Sequence, residues 1–223
     1  LMLWLLLAAF VVYPLARLLL MAFTADGSFT LANLRPFIDS WYDRQAAVNS
    51  ILLGCSVGLA GTVLGFIFAY AVTRLSMPKW LKMAVSAVTL LPLISPPFTS
   101  SIALTLSLGP NGILLELLGL GNFNFYGFWG TFISETLTFF PVAFMTPSTI
   151  LAHIDPNLED AAYSLGASSF KVFRSVTLPL AAPGIANAFL LVFSCSLADF
   201  ATPQVLGGHS FPVLPTQAYL QIT

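Results

Sequence analysis

Five apolar stretches dominate the chain, at roughly 1–23, 48–73, 83–107, 128–152 and 181–202. Each is long enough to cross a hydrocarbon core of about 30 Å, which takes about 20 residues of helix. The fourth and fifth are separated by a polar interruption with a different period, Asp155-Pro156-Asn157-Leu158-Glu159-Asp160-Ala161-Ala162-Tyr163-Ser164-Leu165-Gly166. Here Leu158, Ala161, Ala162 and Leu165 fall at i, i+3, i+4 and i+7, one apolar stripe of an amphipathic helix. Asp155 suits the N-cap, and Pro156 suits the first helical position, where its missing N–H would have no partner. Glu159 and Asp160 lie near the positive end of the helix dipole, and Gly166 stands where a left-handed C-terminal cap is expected. The pattern predicts an all-α integral membrane protein, a polytopic helical bundle. One short, capped helix presents a face outside the bilayer.

Composition agrees with that pattern. The 223 residues are 57% hydrophobic and 8% charged, with a mean hydropathy of +0.89, against about 25% charged residues in a soluble domain. A net charge of −1 gives no hint of nucleic-acid binding. Cys55 and Cys195 both lie in apolar segments and read as small packing residues, neither a disulfide nor a metal site. No small-residue cleavage site follows the first apolar run, so it reads as a retained signal anchor. Arg74, Lys79 and Lys82 fall between the second and third spans, and Lys171 and Arg174 between the fourth and fifth. By the positive-inside rule the 74–82 and 153–180 loops are cytoplasmic, and so is the N-terminus. The loops at 24–47, 108–127 and 203–223 then face outward. Arg35 and Arg44 in the first of them are offset by Asp26, Asp39 and Asp43, and the second carries only Glu116.

Several features inside the spans call for a physical reason. Gly54, Gly58, Gly61 and Gly65 share one helix face and predict close approach of another helix, within the chain or from a partner. The third span begins Leu90-Leu91-Pro92-Leu93-Ile94-Ser95-Pro96-Pro97-Phe98-Thr99-Ser100-Ser101. Three prolines there remove backbone donors, and Ser95, Thr99, Ser100 and Ser101 are placed to satisfy freed carbonyls. Such a break serves as a kink or lines a transport pathway. Glu135 and Asp199 are acids inside or at the edge of a span, functional candidates by their cost unless they reach interfacial water. With Ser95 and Thr99 they form the candidate translocation set. Pro141 and Pro147 predict kinks or close packing, and Asn187 an interhelical hydrogen bond. His153 closes the fourth span, where a helix C-terminus favours a cation, and His209 lies in an outward loop.

No phosphate-binding loop, nucleophile elbow or H-E-x-x-H pair is present, so nothing supports enzyme chemistry. If ATP is used, another chain hydrolyses it. A secondary transporter would also explain the broken third span and the membrane acids, though not the capped cytoplasmic helix.

Asp160-Ala161-Ala162, three residues, Gly166, nine residues, then Val176-Thr177-Leu178-Pro179 resembles the cytoplasmic signature loop of permease subunits of binding-protein-dependent ABC importers. That pattern reads Glu-Ala-Ala, x3, Gly, x9, Ile-x-Leu-Pro. Asp160 replaces its Glu and Val176 its Ile. The resemblance covers roughly 46–223 as permease core, with 1–45 as an N-terminal span and outward loop, and 153–180 as the coupling loop. It implies a coupling helix that docks on a cytoplasmic ATPase, with Leu158, Glu159, Asp160, Ala161, Ala162, Leu165, Gly166, Leu178 and Pro179 as coupling residues. The apolar stripe either docks or turns back to the permease body. The implied partners are two ATPase subunits carrying ATP and Mg, a second permease half and a substrate-binding protein. This chain is implied to bind no cofactor or metal.

Leu91-Pro92-Leu93-Ile94-Ser95-Pro96-Pro97-Phe98, Gly109-Pro110-Asn111-Gly112 and Leu197-Ala198-Asp199-Phe200-Ala201-Thr202-Pro203-Gln204-Val205-Leu206-Gly207-Gly208 are similar to the ferric-iron branch. That branch also resembles permeases for aminoethylphosphonate, thiamine, polyamines and sulfate. The family expects a sixth span after residue 223, which makes the chain read as part of a longer permease, plausibly the first half of a fused one.

Overall fold

The computed structural model describes residues 2–25, 27–109, 112, 117 and 125–222. The expectations on Asp26, Pro110, Asn111 and Glu116 lie outside the described residues. Contacts divide the chain into two units, Leu1–Ala47 and Val48–Thr223.

The first unit holds α1, Met2–Phe23, in which none of the apolar window is buried. Its C-terminal carbonyls are capped by Asn33, whose Nδ2 donates to Met21 O at 2.9 Å and Thr24 O at 3.1 Å. A minimal hairpin follows, pairing Thr24 with Phe29 and Ala25 with Ser28. Helix α2, Trp41–Arg74, then runs for 34 residues, starting several residues ahead of the apolar stretch at 48–73. The polar residues Asp43, Arg44 and Gln45 carry the helix before its apolar part begins.

In the second unit, α3 is Lys79–Ile94 and α4 is Pro97–Leu108. The third apolar stretch is therefore two helices, bent by 101° between Lys79–Ile94 and Thr99–Ser107. Ser95 and Pro96 are extended there, with ψ of 141° and 140°, as a residue ahead of proline prefers. Of the hydroxyls expected to serve this break, only Ser101 is hydrogen-bonded among the described residues, and to another helix, Ser134 Oγ at 3.2 Å. Helix α5, Phe128–His153, stays one helix of 26 residues through Pro141 and Pro147, both buried. Helix α6 is Pro156–Ser164, bent 64° away from α5. Helix α7, Ser169–Ala198, is continuous for 30 residues, so Lys171 and Arg174 sit on a helix and not in an open loop. Helix α8 is Leu214–Ile222. Among the described residues, three helices are long and apolar enough to cross a membrane, and up to five if each bent pair is one span.

Within α7, Phe173–Thr177 forms a wide π turn in which Leu178 N–H reaches Phe173 O. The next residue is Pro179, which has no N–H for the carbonyl of Ser175, and a widened turn accommodates that missing donor. The same device precedes Pro14 in α1, where Tyr13 N–H reaches Ala8 O.

The core of the second unit lies between α2, α5 and α7. One cluster joins Leu53, Val57, Ala143, Ala188, Val192, Phe211 and Val213, and a second joins Ala69, Phe144, Leu151, Ile154 and Ala181. The glycine face of α2 makes this packing possible. A Cβ on Gly58 would come within 2.8 Å of the Phe189 ring, and one on Gly65 within 2.6 Å of the Ala143 carbonyl carbon. Gly54 and Gly61 face Phe193 and Val192 in the same way. Asn187, expected to bond another helix, is exposed on α7, and among the described residues its side chain makes no hydrogen bond.

Candidate functional site

Two groups of polar residues stand out, one at each end of the α5–α7 pair. At the first, α6 is built as its caps require. Asp155 Oδ1 accepts from Asn157 N–H at 3.0 Å. At the other end Gly166 has φ +81°, and two reversed bonds close the helix: Gly166 N–H to Tyr163 O at 2.9 Å and Ala167 N–H to Ala162 O at 3.1 Å. This is the glycine-closed Schellman arrangement. A Cβ at Gly166 would meet nothing within 4 Å, so the glycine is required by its dihedral and not by space.

The apolar stripe is split. Leu158 and Leu165 are 49% and 89% exposed, Ala161 is exposed, and Ala162 is half-buried beside Glu159. Leu165 is the C-cap of the helix, its N–H still donating to Ala161 O at 3.1 Å. Asp160 faces water, whereas Glu159 turns inward. Its Oε1 lies 3.0 Å from Arg74 Nε, with the two side chains 16% and 14% exposed. It also accepts a hydrogen bond from Thr177 Oγ1 at 2.8 Å. Arg74 and Glu159 together bring the 74–82 and 153–180 loops to one end of the bundle. Leu178 is half-buried and Pro179 exposed at the start of the straight part of α7.

The second group surrounds Glu135. Its side chain is fully buried, so the alternative in which it reaches interfacial water does not hold. Ser196 Oγ donates to Glu135 Oε2, while Oε1 is sealed in with no partner among the described residues. Thr131 and Ser134, also fully buried, share the surrounding α5 surface. Asp199 ends α7 and uses Oδ1 to accept from Ala201 N–H at 3.0 Å, a local turn, while Oδ2 and the hydroxyl of Thr202 are buried without partners. Ser95 and Thr99 lie at the α3–α4 break, half-buried and exposed, and among the described residues no hydrogen bond joins either side chain to Glu135. Among the described residues no three His, Cys, Asp or Glu side chains gather to hold a metal ion. His153 Nδ1 lies 2.7 Å from Thr149 O, and His209 is exposed.

Arg74 and Thr177 did not stand out in the sequence as site residues. Arg74 read only as a topology charge, and Thr177 only as part of the Leu-Pro signature. Nothing local marks their meeting with Glu159, 85 and 18 positions away.

Residues 61–223 match the family described as binding-protein-dependent transport system inner membrane component. The chain is 36% identical over 219 residues to the putative ferric transport system permease protein FbpB 1 of Haemophilus influenzae, covering 96% of this chain and 34% of that one. It thus spans about a third of the length of that relative. A spermidine/putrescine transport system permease, PotC of the same organism, is 27% identical over 188 residues, covering 81% of this chain and 68% of that one. The fold is shared with a solved bacterial ABC transporter involved in the import of the acidic polysaccharide alginate. The match has TM-score 0.73 at 19% identity and covers 96% of this chain and 78% of that one.

Proposed function

This chain belongs to the family of inner membrane components of binding-protein-dependent transport systems, and from that premise we propose that it forms part of the translocation path of an ABC importer. ATP binding and hydrolysis, with Mg, fall to two separate cytoplasmic ATPase subunits. A second permease half, fused or separate, completes the path, and a substrate-binding protein delivers cargo from outside. The N-terminus and the α6 end of the bundle lie in the cytoplasm, where Lys79, Lys82, Lys171 and Arg174 supply the positive charge.

Helix α6 is the element that the ATPase moves. The observation that carries this reading is its exposed edge: a capped helix, bent 64° from the span before it, leaves Leu158 and Leu165 in water. Large apolar side chains exposed on a rigid, polar-flanked element favour a protein partner. The inward residues Glu159 and Ala162 serve attachment to the permease body, and the outward ones serve docking.

Ferric iron is the proposed cargo, supported by the greater likeness to the ferric permease, 36% against 27% for the polyamine permease. The test is uptake in vesicles holding the full-length permease, its ATPase and its binding protein, offered ferric iron, spermidine or sulfate. ATP-dependent accumulation of iron alone is expected. Accumulation of another solute instead of iron would overturn the substrate assignment. Leu158→Glu and Leu165→Glu are expected to abolish uptake without lowering membrane insertion. Normal uptake by both would overturn the coupling role of α6.

A further inference from the structure

One carboxylate oxygen joins three elements. Glu159 Oε1, in the first turn of α6, meets Arg74 Nε at 3.0 Å and the Thr177 hydroxyl at 2.8 Å. Arg74 is the last residue of α2, and Thr177 is the last residue of the wide turn in α7. The junction is largely shielded, with Thr177 buried and both charged side chains mostly covered. Salt therefore screens this pair less than one on an open surface.

The receiving surface is stiff. Phe173 of α7 stands edge-on to Tyr70 of α2 at 5.3 Å between centroids and lies 6.3 Å from Phe66. Glu159 thus bonds to two helices already packed on each other, not to a loose loop. As a stabilising device the pair is poorly used, since Arg74 Nε and Nη2 are buried without an aligned hydrogen bond. A shielded ion pair of that quality adds little over apolar packing of the same volume, but it fixes which groups meet. It also sits where a helix C-terminus favours a cation.

We propose that Arg74 and Thr177 are positioning residues that fasten α6, through Glu159, to the ends of α2 and α7, so that one displacement of α6 reaches both spans. The proposal rests on the reading of α6 as the element moved by the ATPase. A coupling carried by these contacts falls in the usual range of about 5- to 150-fold between linked sites.

The measurement is ferric iron taken up per ATP hydrolysed, in vesicles with the full-length permease, its ATPase and its binding protein. Arg74→Gln and Glu159→Gln are each expected to lower that ratio about tenfold. The double variant is expected to lose no more than either single one, because both break the same link. Wild-type ratios in both singles would overturn the proposal. So would a double variant that loses the product of the two, about a hundredfold, because the residues would then act separately. Should the Arg74 variant fail to assemble, Thr177→Val carries the test: removing one hydroxyl is expected to cost about threefold, and no loss overturns the proposal. Leu158→Glu separates the two levels. If it abolishes uptake while the Arg74 and Glu159 variants keep their ratio, only the fastening fails. If it and Leu165→Glu both leave uptake unchanged, the coupling role of α6 fails.

Discussion

Glu159 and Glu135 are both glutamates turned into protein, and the molecule answers them in opposite ways. Glu159 meets a guanidinium and a hydroxyl at the edge of the bundle. Glu135, fully buried, meets one hydroxyl, and its second oxygen has nothing. Among the described residues, Thr136, Thr138, Asp199 and Thr202 also hold buried side-chain oxygens without partners. The first arrangement fixes the angle of a helix. The second keeps unspent hydrogen-bonding capacity inside the protein, near one end of the α5–α7 pair. A sealed polar oxygen costs about 1–3 kcal/mol when left unpaired, so each of these is a cost that the surrounding packing has to offset.

Substitutions can break this contrast, beginning with the largest effect. Glu135→Ala removes a fully buried side chain and leaves both a void and the Ser196 hydroxyl unmatched, and is expected to destabilise by about 3 kcal/mol. Thermal unfolding of the purified chain in detergent would show it, and an unchanged midpoint would mean that the site is already hydrated. Arg74→Ala strips Glu159 of its cation in a shielded but not sealed place, with an expected loss of about 1–2 kcal/mol on the same assay. Gly166→Ala places a side chain at φ +81° with open space around it, so only backbone strain of about 1 kcal/mol should appear. Faster amide exchange confined to α6 is the matching signature, and Gly166→Asn should show less of it, since Asn tolerates that conformation better. Glu135→Gln is expected to have the smallest effect, below about 1 kcal/mol, because the amide keeps the volume and an acceptor for Ser196. A loss as large as that of Glu135→Ala would show that the site requires a carboxyl group specifically.

The spans and the short helix were legible because they depend on local rules. Twenty apolar residues, an Asp-Pro start and a glycine stop each act within a few positions. The glycine face of α2 was legible as a close approach, but not as an approach to Phe189 and Ala143 in particular. The junction at Glu159 was not readable, because Arg74 and Thr177 reach it only once α2 and α7 have packed. Neither was the depth of Glu135, since distance along the chain from a span's end does not give distance from water when other helices cover it. The stripe on α6 was legible as a helical face, but which of its residues lie outward and which turn in depends on the elements packed against the helix.

The continuity of Ser169–Ala198 has a mechanical consequence. Thirty residues of helix measure about 45 Å along the axis, about 15 Å more than the hydrocarbon they must cross. With Lys171 and Arg174 read as cytoplasmic charges, the excess is assigned to their end of the helix. That projecting arm is packed on α2 through Phe173 and bonded to Glu159 through Thr177, so the rod acts as a lever that moves together with α2 and α6. Tilting at the arm swings the opposite end, where Ser196 and Asp199 sit, the other way, without any helix having to bend.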